Sequence, residues 1–229
     1  MNASAIITYH PIIFHGIKKL TPDDRVARIV MGCIKNDIAV YSPHTACDAS
    51  KGGVNDWIVD GLGEIASSAP ITPDRENPEF GIGRIATLAS PYPTISQLIE
   101  RMKVHFAIPH LQLATNLPLD SPVRKVAVCA GSGDSVLAVI EADFYVSGEL
   151  SHHVILDAVS HDRSVMVCNH SNTERGFLKE LRARLESELG EEFTFVVSQT
   201  DRDPLSVFCF VCSTPVIRLI VYLFVDVSS

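Results

Sequence analysis

The sequence Ala5-Ile-Ile-Thr-Tyr-His-Pro-Ile-Ile-Phe14 is an apolar run interrupted by a Thr-Tyr-His triplet. It predicts a buried strand that ends at Tyr9-His10-Pro11, because proline cannot donate to a strand ladder and pushes the preceding residue towards extended geometry. Strand ends are where α/β proteins build their binding sites. His10 is therefore the first candidate site residue, and α/β is the fold class that the pattern indicates.

Two later apolar runs also end in histidines and carboxylates. His44 and Asp48 follow the first run, and His170 and Glu174 follow the second. Neutral imidazole nitrogens and carboxylate oxygens are the ligands that divalent ions of hard to borderline character require. If the three strand ends meet in space, a metal centre is the expected result.

Each of these residues also has a purely structural interpretation. The run from Ser171 to Glu174 fits a capping box, in which the glutamate satisfies a backbone N–H. Asp48 could close an Asx turn before the glycine pair at 52–53. His44 follows a proline in a loop, which is typical of a turn residue or of a substrate contact. The residues by themselves leave both interpretations open.

The first 64 residues predict one βαβα unit, the N-terminal α/β lobe. After the first strand we expect a helix with Thr21 as its N-cap and proline at its first helical position. A strand at 39–42 comes next. A glycine turn then leads into a short helix that carries Trp57.

Residues 65–120 predict a connector and a helix, because the proline-rich first part shows no sustained period and 93–106 is helical in pattern. Residues 121–204 repeat the order strand, loop, helix and predict a C-terminal α/β lobe. That lobe is expected to close with a helix from about 173 to 189 and a strand at 193–198.

Residues 205–229 form an atypical apolar tail with one arginine and one aspartate as its charges. Pro215 keeps every uninterrupted apolar run below the roughly 20 residues that a membrane-spanning helix needs. We therefore expect a sticky, strand-like extension rather than a membrane anchor. Cys209 and Cys212 have the spacing of half a zinc site, but no second Cys or His pair is near them in sequence, so the spacing is interpreted as accidental.

Composition bounds the remaining classes of function. The 229 residues are 46% hydrophobic, enough for a sizeable core. With 27 acidic and 19 basic residues the net charge is −8, which disfavours direct binding of nucleic acid. Most of the six cysteines lie in apolar patterns, which suits a reducing compartment. No targeting signal is visible at the N-terminus, so a cytoplasmic location, or a shared cytoplasmic and nuclear one, is expected.

Two further motifs stand near predicted strand ends. Gly131-Ser132-Gly133 could cradle a phosphate on exposed N–H groups or could form an ordinary tight turn, and neither a third glycine nor a P-loop lysine follows it. His152 and His153 are neighbours on a predicted helix. Because neighbouring side chains diverge on a helix, at most one of them can face a site.

Taken together, three segments resemble the Nif three-like family, also called GTP cyclohydrolase 1 type 2 homologs, over roughly residues 5 to 204. The resemblance lies in the order and spacing of these motifs: Tyr9-His10-Pro11-Ile12-Ile13-Phe14; His44-Thr45-Ala46-Cys47-Asp48 with Gly52-Gly53-Val54-Asn55-Asp56-Trp57; and Gly148-Glu149-Leu150-Ser151-His152-His153 with His170 and Thr173-Glu174-Arg175. It implies two similar α/β lobes with mixed sheets flanked by helices. It also implies a hexameric toroid and two adjacent divalent ions, Zn, Mn or Fe, in the cleft between the lobes.

By the same resemblance, the expected metal ligands are His10, Asp48, His170 and Glu174, the last shared between the ions. The expected catalytic residues, which would assist proton transfer, are Glu174 and His44. The expected substrate contacts are His44, Gly131, Ser132, Gly133, Glu149 and His153.

The chain also departs from the family pattern. Bacterial members have two adjacent histidines where this chain has Tyr9-His10, whereas eukaryotic members resemble this chain in having tyrosine. One metal position is therefore expected to bind weakly or to take water instead. Relative to the family, the first lobe is incomplete at its start and the tail at 205–229 replaces a short end, so a truncated or alternatively spliced form is expected.

Two functions follow from the resemblance. The first is a metal-dependent hydrolase of a nucleotide or another phosphate-containing substrate, with ring-opening of GTP as the reaction that the family name implies. The second is a non-catalytic, metal-containing interaction protein that acts as a transcriptional co-regulator with protein partners.

Overall fold

The computed structural model describes residues 3–207, which form strands and helices in alternation. The strands of this part of the chain are β1 (Ala5–Ile7), β2 (Ala39–Tyr41), β3 (Ile65–Pro73), β4 (Gly81–Leu88), β5 (Gln112–Ala114), β6 (Lys125–Ser132), β7 (Phe144–Glu149) and β8 (Ser164–Val167). Its helices are α1 (Arg25–Lys35), α2 (Thr45–Ala49), α3 (Val54–Asp60), α4 (Ile95–Phe106), α5 (Asp134–Leu137), α6 (His152–Ser160), α7 (Asn172–Arg175) and α8 (Phe177–Leu189).

The strands form two sheets of unequal size. β1 and β2 make a parallel two-stranded sheet, and the other strands make a six-stranded sheet in the order β3-β4-β6-β7-β8-β5. Within the large sheet β6, β7 and β8 are parallel, and the remaining pairs are antiparallel. The predicted α/β class with mixed sheets flanked by helices is confirmed. Because β6, β7 and β8 are parallel, their carboxyl ends lie at one edge of the sheet.

The core covers both faces of the large sheet. Alternate side chains of a strand point to opposite faces, and along β6 Val126 and Val128 join one buried cluster while Ala127 and Cys129 join the other. The first cluster also contains Trp57 and much of α3 and α4. Burial on both faces explains why β6 is a continuous apolar run rather than an alternating one.

A buried arginine anchors the loop between α2 and α3 to the large sheet. Arg84 on β4 is 2% exposed, and its Nε donates to Asp56 Oδ1 at 2.6 Å. Its Nη1 donates to the carbonyls of Gly81 and Gly83, and its Nη2 donates to the carbonyl of Ser50 at 3.1 Å. A buried charge is tolerated when it is paired and its other donors are satisfied. This arrangement fixes the start of α3 and the loop before it.

Several local expectations were wrong. Most of the segment expected to be an irregular connector is the hairpin of β3 and β4; Pro70 and Pro73 are accommodated because β3 is an edge strand. The first strand ends at Ile7 and is partly exposed. Within the part of the chain that the structure describes, the segment 193–198 pairs with neither sheet, so the strand expected there is not formed.

Other expectations were displaced or are untested. The N-cap of α1 is Asp24 rather than Thr21, and its Oδ1 accepts from the Ala27 N–H at 2.7 Å. The helix expected over 173–189 is divided into α7 and α8 at Gly176. The division into lobes at 64, 120 and 204 stays a prediction. Most of the apolar tail, with its cysteine pair, lies outside the described residues. No helix within residues 3–207 has the length and apolar character needed to cross a bilayer.

Candidate metal centre

Two sheets contribute to one cluster of imidazoles and a carboxylate. His10 follows β1 of the small sheet, whereas His170 and Glu174 follow β8 of the large sheet, the glutamate on α7. Although His10 is 164 positions from Glu174 in the chain, their side chains are in hydrogen-bond contact. The convergence of these strand ends, expected from the sequence, is present in the fold.

Both oxygens of the Glu174 carboxylate face an imidazole. Oε2 lies 2.9 Å from His10 Nε2, and Oε1 lies 3.2 Å from His170 Nε2. One ligand atom from each of the three residues lies within 4.8 Å of the others. Glu174 is 7% exposed. Two nitrogen donors and one shielded carboxylate form a donor set that fits a divalent transition ion.

The capping alternative for Glu174 was wrong. Ser171, the residue before α7, makes no side-chain cap, and its hydroxyl donates instead to Asp203 Oδ2 at 2.8 Å. The Glu174 carboxylate is directed at the two histidines rather than at the start of its own helix. The free energy cost of burying this carboxylate is offset by its contacts with the two imidazoles.

Asp48 lies beside the cluster but is not a member of it. Its Oδ1 accepts the hydroxyl of Tyr9 at 2.5 Å, and Tyr9 is the neighbour of His10. Burial raises the pKa of Asp48, and the Tyr9 hydrogen bond opposes that rise. Burial, followed by the nearby Asp48 charge, raises the pKa of Tyr9 well above its ordinary value, so the hydroxyl remains a donor. Three of the four expected ligands are thus together, and the fourth is held by a tyrosine.

His44 borders the same cluster. Its ring centroid is 5.0 Å from that of His10 and 6.1 Å from that of Tyr9. Its backbone has φ of 39°, and its N–H donates to the Tyr9 carbonyl at 3.1 Å. A non-glycine residue with positive φ is uncommon and is found where the surroundings hold it in place. His44 is therefore a turn residue at the start of α2 whose ring is positioned beside Tyr9 and His10.

Glu149 orients the ring of His170. His170 Nδ1 lies 3.1 Å from Glu149 Oε2, on the side of the ring opposite Glu174. The hydrogen bond with Glu174 is the largest cause that raises the pKa of His170 to about 9; burial opposes it, and Glu149 adds to it. A carboxylate behind a histidine is the usual partner that fixes a ligand ring. Glu149, expected as a substrate contact, contacts this imidazole.

A glycine without a side chain lies against the ligand atoms of the cluster. Gly131, at the end of β6, has φ of +62°, and a Cβ there would lie 2.9 Å from both Glu174 Oε1 and His170 Nε2. Thr173 holds this edge in place, because its Oγ1 accepts from the Gly131 N–H at 2.9 Å and donates to the His170 carbonyl at 2.7 Å. The glycine leaves the space in front of the ligand atoms open.

The glycine motif at 131–133 lies at the carboxyl end of β6, and the backbone N–H groups of its two glycines are not free to bind a phosphate. The N–H of Gly131 donates to Thr173, and the N–H of Gly133 donates to the Glu149 carbonyl at 3.1 Å. Ser132 pairs with Glu149 across the strands. Two of the donors that a phosphate would need are therefore already used within the protein.

His153 lies elsewhere on the molecule. It is exposed on α6 and lines a shallow hollow with Tyr145 and Asp157. Its neighbour His152 is 5.7 Å away between ring centroids. The structure therefore brings His10, His44, Asp48, Glu149, His170 and Glu174 together, with residues 131–133 at the edge, and puts His153 in a different hollow.

Three residues with roles around the cluster were not singled out from the sequence. They are Asn55, which is 1% exposed, Thr173 and Arg84. Asn55 and Thr173 occur inside quoted motifs but received no role there. In the sequence they are polar residues between apolar core positions. A single sequence does not show whether such a polar residue is buried or lies at the surface.

Comparison with known proteins identifies the family of this chain. The family model Duf34/NIF3 (NGG1p interacting factor 3) matches residues 1–204. The Protein NIF3 homolog of Schizosaccharomyces pombe is 41% identical over 212 residues, covering 89% of this chain and 76% of that protein. The NGG1-interacting factor 3 of Saccharomyces cerevisiae is 39% identical over 221 residues, covering 90% and 75%.

A solved structure supports the same assignment at the level of the fold. The Bacillus cereus protein related to NIF3 superposes with a TM-score of 0.73 at 23% identity, covering 91% of this chain and 83% of that one. At that identity the likeness concerns the fold alone. On the family model and the two fungal relatives together, the chain belongs to the Duf34/NIF3 family.

Proposed function

We propose that this chain binds divalent metal through His10, His170 and Glu174 and acts as a metal-dependent hydrolase of a nucleotide or another phosphate-containing substrate. The observation that carries the proposal is the convergence of two imidazoles on the two oxygens of one buried carboxylate. When bound, a divalent ion supplies Lewis-acid chemistry, which lowers the pKa of water and polarises the bond to be broken.

The chain's own residues would then orient the ligand side chains, carry protons and leave space at the site. Glu149 holds the His170 ring so that Nε2 faces Glu174. His44 lies against His10 without being a member of the three-residue group, which suits a proton carrier next to the reacting atoms. Gly131 leaves open the space in front of the ligand atoms, where an ion would be held.

Asp48 is proposed as a ligand of a second ion. Its Oδ1 is already hydrogen-bonded to Tyr9, so a second ion must displace that bond or share the carboxylate. We therefore expect between one and two ions per chain, with Zn, Mn and Fe as the ions to test. The donor set alone does not choose among them.

Metal analysis and turnover together test the proposal. Natively purified protein is expected to contain transition metal and to hydrolyse at least one member of a nucleotide panel. Glu174→Gln removes the anionic oxygens and is expected to lose both properties. Glu79→Gln is the matched control, because Glu79 is exposed and pairs with Lys51 at the surface. Protein without metal that also takes up none of the three ions on dialysis would refute the proposal.

The second candidate is a non-catalytic role in transcription through protein partners. It is favoured by the name of the Saccharomyces cerevisiae relative, an NGG1-interacting factor. Metal-loaded protein that hydrolyses nothing in the panel would favour this candidate.

We also propose that the chain assembles into a homo-oligomer, such as a hexamer, which mass measurement in solution tests. A cytoplasmic or nuclear location is proposed as well, and imaging of the tagged protein tests it.

A further inference from the structure

The buried carboxamide of Asn55 joins two segments of the candidate metal centre. Asn55 lies in the first turn of α3 and is 1% exposed. Its Nδ2 donates to the Asp48 carbonyl at 3.0 Å, and its Oδ1 accepts from the Ala130 N–H at 2.9 Å. One side chain thus ties the end of α2 to the end of β6.

Both tied segments lead directly to site atoms. The residue after Ala130 is Gly131, whose missing Cβ leaves space before the ligand atoms of Glu174 and His170. On the other side, the Asp48 carboxylate contacts the Tyr9 hydroxyl. A shift of the Asp48 peptide relative to β6 would therefore move this carboxylate relative to Glu174.

We propose that Asn55 is a positioning residue, which fixes the Asp48 carboxylate against Tyr9 and beside Glu174 by fastening the Asp48 peptide to the end of β6. An amide suits this position because it presents a donor group and an acceptor group in one rigid plane. In a buried site each lost hydrogen bond leaves its partner unsatisfied, so the bridge resists small displacements.

The chemistry of the amide also defines the test variants. Asn55→Asp has the same shape and can still accept from Ala130, but the ionised carboxylate has no hydrogen to donate to the Asp48 carbonyl. Asn55→Ala removes both bonds. Asn36→Asp is the matched control, since Asn36 Nδ2 also donates to a backbone carbonyl, that of Gly32, on the exposed end of α1.

The first measurement is independent of metal. The chain has five tyrosines, so metal-free protein labelled with 3-fluorotyrosine should give five fluorine resonances, and Tyr9→Phe assigns that of Tyr9. Asn55→Asp and Asn55→Ala are each expected to shift the Tyr9 resonance while that of Tyr145, buried in the large sheet, stays in place. Asn36→Asp should move neither. An unchanged Tyr9 resonance in both folded variants overturns the inference.

The second measurement uses Mn²⁺ as the probe and rests on the proposed function. Asn55→Asp is expected to weaken Mn²⁺ binding at the Asp48 position by about 10- to 100-fold, the effect typical of a residue behind a ligand, and to keep the His10–His170–Glu174 position. Loss at both positions, or at neither, overturns this part. If the unmodified protein binds no Mn²⁺, Zn²⁺ or Fe²⁺, the proposed function fails, and the Tyr9 resonance alone decides the inference.

Discussion

At the scale of single residues, the candidate centre depends on an absent side chain as much as on those present. Gly131 adopts φ of +62°, and its hydrogen faces Glu174 and His170 where any other residue would place a carbon. A Cβ within 2.9 Å of both ligand atoms would occupy the volume that an ion needs. Position 131 therefore requires glycine for two reasons: the positive φ and the space in front of the ligand atoms.

We expect Gly131→Ala to abolish metal binding while the protein remains folded. Positive φ costs an alanine about 1–2 kcal/mol in the free energy of unfolding. Gly190→Ala is the control, because Gly190 has φ of +73° with nothing within 4 Å of the added carbon. The control should lose stability through its strained backbone and keep its metal. Metal content that is equal in the two variants would contradict this use of Gly131.

We expect Tyr9→Phe to raise the metal content per chain. The substitution removes the hydroxyl that holds Asp48 Oδ1 and leaves the carboxylate free to bind an ion. Elemental analysis after dialysis against Zn²⁺ checks this, with Tyr41→Phe as the control because Tyr41 is an exposed tyrosine on β2. A fall in metal content would instead show that the tyrosine supports the second position.

At the scale of elements, the loop before α3 depends on the ion pair between buried Arg84 and partly buried Asp56. Arg84 satisfies Asp56 and three backbone carbonyls, and Asp56 in turn accepts the Gly52 N–H at 2.5 Å. Removal of the arginine leaves the partly buried Asp56 charge and three backbone carbonyls without their donor, which costs far more than the pair itself contributes.

We expect Arg84→Met to lower the free energy of unfolding by about 3–5 kcal/mol. Lys51→Met is the surface control, because its ion pair with Glu79 is exposed on both sides and is worth about 0–1 kcal/mol. Urea denaturation of the two variants measures the difference. Equal losses would mean that the buried pair contributes no more than a surface pair.

The contact between α3 and α4 is expected to weaken in acid. The ring centroids of His105 and Trp57 are 4.4 Å apart, and burial lowers the pKa of His105. Its Nε2 is buried and has no hydrogen-bond partner among residues 3–207. The lowered pKa means that the unfolded chain binds the proton more readily. The stability that the neutral ring supplies is therefore present above the ordinary pKa of about 6.5 and declines as pH falls below it.

Trp57 is the only tryptophan, so its fluorescence follows this contact directly. Denaturation monitored at pH 7.5 and at pH 5.5 should show a smaller acid loss in His105→Phe than in the unmodified protein. His161→Phe serves as the control, since His161 is exposed at the end of α6. An acid loss of the same size in all three proteins would remove His105 as the cause.

At the scale of the whole molecule, the sequence predicted the site residues that follow strand ends. It did not predict the residues whose role depends on packing against a distant segment. His10, His170 and Glu174 were predictable as site residues, because each comes after an apolar run and α/β proteins build their sites at strand ends. The hold of Tyr9 on Asp48 was not predictable, since it depends on the packing of the small sheet. Likewise, Arg84 looks like a surface residue in an alternating strand until α3 covers it.

The strands that were predicted wrongly also depend on whether a neighbouring strand is available. The prolines of β3 argued against a strand, but an edge position requires fewer donors and the hairpin partner β4 was available. The segment 193–198 had the composition of a strand and lacked a neighbour in the described part of the chain. β-propensity describes fit to a half-buried surface, so composition without a neighbour predicts little.

We expect removal of metal to destabilise the whole protein. An ion at 100 times its dissociation constant stabilises the state that binds it by about 2.7 kcal/mol. Treatment with a chelator should therefore lower the melting temperature and speed cleavage by protease, whereas metal-free Glu174→Gln should show no response to the chelator. A melting temperature that the chelator leaves unchanged in the unmodified protein would contradict this linkage.

The origin of the ligands in two different sheets has a consequence for the life of the protein in a cell. His10 follows a strand of the two-stranded sheet and His170 follows a strand of the six-stranded sheet. An ion bound by both would therefore link the two sheets and oppose their separation. Degradation in cells follows the population of opened molecules when opening is rapid. The half-life of the protein, and with it its abundance, would then rise and fall with the supply of the metal.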